Sequence, residues 1–411
     1  MVRLNFKAKV KMKIKSLKSQ ITMLMIIGLV IFIVVSLVLY LSKSVIKKQS
    51  KQSVKQTQET PIEFQPIKEF VSKCLDKMAK DAILLLGKQG GYIFKSQGGT
   101  LIDYKATDEG SFFVNYKGLN VVFNILPPSF STSIYSSKIP DYPWIIFPYT
   151  DTYYTSTTFN GYFGISNLPP LDSSRGPHSM QTQIESFIDN NIATCLDFNI
   201  FKEQGYDIVM EPSNTSVIVG SENVRISSDI PISVKNPTTK EFTELKEFST
   251  TLDIRLNGLY LFANELIKND IMDIKFNISD IKNNKDFFNI QLIKDVFLND
   301  NLIIITDEKS LISGKPYQYI FARKNRAPAL YYLPNNYLQF PNGYLITQDD
   351  ILQGSQLQAE DPDEDDALFD IKALSGNQNL PRVLDVPQLI FKVEANDGQL
   401  KDYQNITVDR I

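Results

Sequence analysis

Histidine is all but missing from this chain, with His178 the one example among 411 residues. A histidine-built zinc centre is thereby excluded, and neither His-Glu-x-x-His nor Gly-x-Ser-x-Gly occurs to carry a metalloprotease or a serine hydrolase. The glycine-rich stretch Gly87-Lys88-Gln89-Gly90-Gly91 lacks the Gly-Lys-Ser/Thr end of a phosphate loop, so Gly87 reads as a helix stop. No enzyme is expected. The alternative is an extracytoplasmic carboxylate-dependent hydrolase, which needs only two placed acids, and spacing selects no pair.

Cysteine is nearly as scarce: Cys74 and Cys195 are the whole supply. Paired, they close a loop of 121 residues, for which chain entropy gives roughly 4 to 5 kcal/mol. Unpaired, they are two buried thiols. Acid is the third shortage, confined to the N-terminus: up to residue 60 only Glu59 faces twelve Lys or Arg. The rest of the chain then carries 31 basic and 45 acidic residues, a balance of −14, which argues against nucleic acid as a partner.

What stands inside the basic region is an uncharged apolar run from Ile21 to Leu41, ITMLMIIGLVIFIVVSLVLYL. At about 1.5 Å per residue it reaches roughly 30 Å, the hydrocarbon thickness of a bilayer. The run is long for a signal peptide and offers only Ser42-Lys43-Ser44 as a cleavage match, so it reads as an uncleaved anchor. Seven basic residues precede it (Arg3, Lys7, Lys9, Lys11, Lys13, Lys15, Lys18) and five follow (Lys43, Lys47, Lys48, Lys51, Lys55). That bias puts the N-terminus in the cytoplasm and everything after the anchor outside the cell membrane. Residues 1–20 are then a cytoplasmic tail, 21–41 a transmembrane helix and 42–61 a polar stalk.

Residues 62–322 read as an α+β ectodomain, helices on antiparallel sheet, in one piece or two related halves. Pro66 suits the first turn of a helix whose apolar face is Ile67, Phe70, Val71, Cys74, Leu75, Met78, Ala82 and Leu86. GGYIF (90–94) follows as a short strand. FFVNYKGLNVVFNI (112–125) reads as a hairpin turning at Lys117-Gly118. Strands over 206–210, 216–220 and 223–234 form a meander, a second helix runs over 250–268, and strands fit 301–306 and 317–322. A loose repeat links Ile67 onward with Ile184 onward. Each holds a Cys-Leu-Asp triplet and a later Gln-Gly before Tyr, predicting two helix-then-strand units with facing cysteines. The Tyr- and Pro-rich segment around Trp144 reads as an irregular loop pinned to the domain by its rings, with an adaptable contact surface for protein or glycan as the alternative.

From residue 323 the composition shifts: six basic and fourteen acidic residues over 325–411 and no expected helix. Short strands with turn signals, among them Asn396-Asp397-Gly398 with Val393, Ile406 and Val408 inward, indicate an all-β sandwich. Here Asn325-Arg326-Ala327-Pro328, Ala359-Glu360-Asp361-Pro362-Asp363 and Ala395-Asn396-Asp397-Gly398 with a later Asp402 resemble cadherin-like and immunoglobulin-like modules. The resemblance implies a calcium site in which Asp361 and Asp363 match the Asp-x-Asp ligands and Asp397 the late acid. It departs at the linker, where Arg323, Lys324 and Arg326 replace acids. The loop acids Glu360, Asp361, Asp363, Glu364, Asp365 and Asp366 repel one another unless water, salt or a cation intervenes, and closely spaced oxygens suit calcium.

The start Lys18-Ser19-Gln20-Ile21-Thr22, leading into the apolar run, adds a wider likeness. Together with the paired Cys-Leu-Asp and Gln-Gly units it resembles a group of uncharacterised archaeal single-pass membrane proteins, which implies no activity. Gln20-Ile21-Thr22 is also similar to the start of archaeal type IV pilin precursors, although the fifth position from Gln20 is Leu24 where that family has Glu. The reading is a membrane-anchored extracytoplasmic binding or scaffolding protein, calcium-assisted, touching the lipid bilayer and a surface protein or glycan. A pilin-like or secretion-assembly component is the alternative. Asn214, Asn277 and Asn405 head Asn-x-Ser/Thr sequons, consistent with export.

Overall fold

The computed structural model describes residues 61–128, 163–331, 337–374, 376 and 378–411. The apolar run Ile21–Leu41, the stalk up to residue 60 and the segment around Trp144 lie outside the described residues. Among the described residues no helix is long and apolar enough to cross a membrane. Phe64–Ile411 forms one compact unit, mixed α/β with a mostly β C-terminal region.

Helix α1 (Gln65–Lys88) opens with proline in its first turn and buries Ile67, Val71, Cys74, Leu75, Met78, Ile83 and Leu86. It does not stop at Gly87. A Cβ there would stand 2.5 Å from the Gln318 carbonyl oxygen and 2.6 Å from the Tyr317 hydroxyl, so this glycine is set by close approach of helix to sheet. The chain turns away at Gly90 and Gly91, whose φ values are +73° and +85°, a region open to glycine. The expected strand over 90–94 is irregular backbone, with a single bridge from Phe94 to Leu101.

Strands β1 (Phe113–Tyr116) and β2 (Leu119–Leu126) form the expected hairpin. Lys117 and Gly118 both take positive φ, 52° and 81°, which matches a two-residue turn to the strand twist. Helix α2 (Met180–Cys195) is capped by Ser179 and is followed by the short α3 (Asn199–Glu203). Of the two expected helix-then-strand units, only this second one continues into a strand.

Four strands follow: β3 (Asp207–Met210), β4 (Asn214–Val219), β5 (Val224–Lys235) and β6 (Phe242–Leu252). β3 and β4 lie end to end along one edge of β5, and β6 takes the other edge. The expected meander is thus corrected in its first member and extended by β6. Strict alternation of buried and exposed residues along much of β4 and β5 turns one face inward, and α1 and α2 pack against this sheet.

Helix α4 (Leu256–Met272) starts six residues later than the expected start at Thr250. Leu252 still pairs with Val224 as part of β6. Arg255 then makes an ion pair with Asp307 at the helix entry. Strands β7 (Phe288–Phe297), β8 (Asp300–Ile312) and β9 (Lys315–Arg323) complete a sheet ordered β1-β2-β9-β8-β7. All these neighbours are antiparallel except β2 and β9. The outer strands β1 and β7 touch each other, so the sheet curls around a small second core of Val114, Val121, Phe123, Leu302, Ile304, Ile320 and Ala322.

The C-terminal region has its own core. Strands β10 (Tyr337–Phe340), β11 (Leu368–Ala373), β12 (Gln388–Asn396) and β13 (Lys401–Arg410) form a sheet ordered β10-β13-β12-β11. Val393, Ile406 and Val408 are fully buried in it. One helix, α5 (Gln348–Ser355), breaks the expectation that this region has none. Thr347 and Asp350 cap its start reciprocally, which stabilises even two turns.

Candidate functional site

Where β9 ends, two arginines are buried without any exposure, Arg323 and Arg326. A guanidinium in such a place requires matched anions and filled hydrogen bonds. Asp270, on the last turn of α4, and Asp363, in the acidic loop, supply the anions and most of the hydrogen bonds, although Arg323 Nε and Asp270 Oδ2 make ion-pair contacts at 3.0 and 2.9 Å without a hydrogen bond. Arg323 Nη1 donates to Asp270 Oδ1 at 2.8 Å and Nη2 to the Asp363 carbonyl at 3.0 Å. Arg326 Nη2 reaches Asp363 Oδ1 at 2.8 Å, the Pro362 carbonyl at 2.8 Å and Asp270 Oδ2 at 2.9 Å. The backbone N–H of Arg326 donates to Asp363 Oδ2 at 2.6 Å. Burial alone disfavours the charge on Arg326, but the carboxylates of Asp270 and Asp363 outweigh it and hold the guanidinium protonated above its ordinary value.

Two positive and two negative groups therefore form a neutral cluster joining the α+β part to the acidic loop. Asp363, the second Asp-x-Asp position, has both carboxylate oxygens on arginine groups. The linker arginines occupy the place that the resemblance gives to acids around calcium.

Beside this cluster the acidic loop is less well satisfied. Asp361 Oδ1 accepts from the N–H groups of Asp363 and Asp365 at 2.7 and 3.2 Å, while its buried Oδ2 has no hydrogen-bond partner. Burial pushes the Asp361 carboxyl up to about 7, with Asp363 acting in the same sense. Asp365 Oδ2 and Glu364 Oε1 also lack partners, and burial lifts Asp365 to about 6. Lys294, from β7, donates to the Glu364 carbonyl at 2.7 Å and lies 3.9 Å from Asp365 Oδ1.

Asp397, the third candidate ligand, accepts from the N–H groups of Gln399 and Leu400 with Oδ1 and from Asn325 Nδ2 at 2.8 Å with Oδ2. Asn325 is 2% exposed, and its Oδ1 has no hydrogen-bond partner. Asp300 accepts the N–H of Asn325 at 2.8 Å and an ammonium hydrogen bond from Lys324 at 3.1 Å. Among the described residues no group of three or more His, Cys, Asp or Glu side chains is arranged as a ready metal cage.

The sequence named the acids of the loop but not Asp270, Asp300 or Lys294, each set in an ordinary-looking helix or strand. Cys74 and Cys195 stand at disulfide-bonding distance, with Cα atoms 5.8 Å apart, joining α1 to the end of α2. Asn214, Asn277 and Asn405 are all exposed. His178 pairs with Thr100 at 3.0 Å on the surface. No protein-family model matches this chain, and no curated protein matches it either.

Proposed function

We propose that this is a single-pass membrane protein with its N-terminus in the cytoplasm and residues 62–411 outside, working by binding or scaffolding at the cell surface. The C-terminal module, sandwich-like and similar to cadherin-like domains, presents the contact face, and calcium assists it. The carrying observation is the Cys74–Cys195 pair at bonding distance, because such bonds persist in oxidising compartments. The uncharged Ile21–Leu41 run supports the anchor. The buried Arg326–Asp363 pairing supports rigid presentation, since it fixes the module to the α+β part.

The test is retention of a surface protein or glycan by the full chain in detergent, with calcium and with chelator. Retention above a bare-matrix control supports the reading. Failure to retain anything under both conditions counts against it.

A further inference from the structure

We infer that the hollow between the loop after α1 and the β1–β2 hairpin binds a neutral sugar unit of a glycan, with Phe94 and Tyr104 as its aromatic wall and Gln97, Asp103 and Asn120 holding the hydroxyls. The hollow measures about 380 Å³, within the roughly 300 to 1,000 Å³ of small-ligand sites. The loop after α1 supplies Phe94, Gln97, Asp103 and Tyr104, and the start of β2 supplies Asn120. These side chains are fixed in place. Tyr104 stacks on Phe112 with ring centroids 4.7 Å apart and stands at 80° to Phe94 at 6.0 Å. Asp103 accepts the Ser96 N–H with both carboxylate oxygens at 3.1 Å. The fully buried Gln89 also lines the hollow and exchanges amide hydrogen bonds with Gln97 at 2.9 and 3.0 Å.

The bonding capacity left over matches a sugar. Among the described residues the Tyr104 hydroxyl and Asn120 Nδ2 donate to nothing, and Gln97 Nε2 has a second N–H beyond the one given to Gln89. Asp103 keeps lone pairs for a hydroxyl, and a hydrogen bond to a carboxylate is among the stronger ones. A sugar hydroxyl both donates and accepts, so it can use amide and carboxylate together, while the C–H face of the ring packs on aromatic carbon. No Lys or Arg among the described residues lines the hollow. Nothing there draws in a phosphate or a sulfate, which selects a neutral sugar. Phe112 is 50% exposed beside Tyr104 and extends the aromatic surface beyond the hollow.

This deepens the surface-binding reading and rests on it for the choice of a glycan, but its test needs no cellular partner. Full-length protein in a detergent without sugar headgroups is titrated in turn with the methyl glycosides of glucose, galactose, mannose and N-acetylglucosamine, and saturation-transfer NMR reads contact and affinity. Tyr104→Ala, Asp103→Asn and Asn120→Ala are titrated alongside. The melting temperature of each is measured to show that it is folded. At least one glycoside is expected to receive saturation, most strongly at its ring C–H protons, and to bind at least fivefold more weakly in each variant. Should Tyr104→Ala fail to fold, the two polar variants decide, since neither Asp103 nor Asn120 is buried. No transfer at tens of millimolar glycoside, or binding equal in the parent and both polar variants, overturns the site and leaves the surface-binding reading to a protein partner. A glycoside bound here while no surface partner is retained leaves this site standing and defeats only that reading.

Discussion

Arg326 grips Asp363 from two sides: its backbone N–H donates to Oδ2 at 2.6 Å while its guanidinium reaches Oδ1 at 2.8 Å. One arginine thus fixes both the course of the linker and the position of the acidic loop. Replacing it with alanine leaves Asp363 buried and half-paired, a loss of about 3 to 5 kcal/mol by the usual cost of breaking a buried pair. Arg326→Lys is expected to rescue little, because an ammonium cannot copy the forked contact. Urea unfolding of the full chain in detergent, parent against the two variants, measures both.

Gly87 is held by space. With the Gln318 carbonyl 2.5 Å from where a Cβ would stand, Gly87→Ala must push α1 off β9. The expected cost is about 1 to 3 kcal/mol, in spite of alanine's better helix propensity. A melting temperature equal to or above the parent's would contradict the close-approach account.

Much of this fold is readable in the sequence because local chemistry decides it. Lys117-Gly118 and Asn396-Asp397-Gly398 announce hairpins, and the face from Ile67 to Leu86 announces a helix. β6 is hidden by its outward Glu244, Lys246 and Glu247, whose charge masks the buried Leu245, Phe248 and Leu252. The late start of α4 is hidden because Leu252 fits a helical stripe and a strand equally well. At the candidate site, acids on one loop are visible as residue types. Their fates are not, because Arg326 meets Asp363 across 37 positions and Asp270 across 56. Pattern within a window carries no trace of such pairings.

Cys74 and Cys195 close a loop of 121 residues. Reduction is expected to lower stability by roughly 4 to 5 kcal/mol if chain entropy dominates. Intact mass under non-reducing conditions, compared with alkylated reduced protein, reports whether the bond forms. A mass unchanged by reduction, with both thiols open to alkylation beforehand, would contradict it.

Asp402 is 1% exposed and accepts the N–H groups of Leu330 and Tyr403 at 2.9 and 2.8 Å. Burial nevertheless pushes its carboxyl up to about 7, against about 3.9 in an unfolded chain. The folded form therefore holds the proton longer. Its stabilising contribution is full below the unfolded value and is lost as pH rises toward about 7. In chelator, the melting temperature is expected to fall from about pH 5 to about pH 7.5, and Asp402→Asn to flatten that slope. The slope is the readout, whatever the variant's absolute stability.

Sidedness decides the whole account, since a binding module facing the cytoplasm could not meet a surface partner. Protease added to intact cells expressing the full chain, followed by detection of its C-terminal region, tests this most directly. The account predicts that the C-terminal region is digested while a cytoplasmic marker survives. Survival of the C-terminal region in intact cells, with digestion only after lysis, would contradict it.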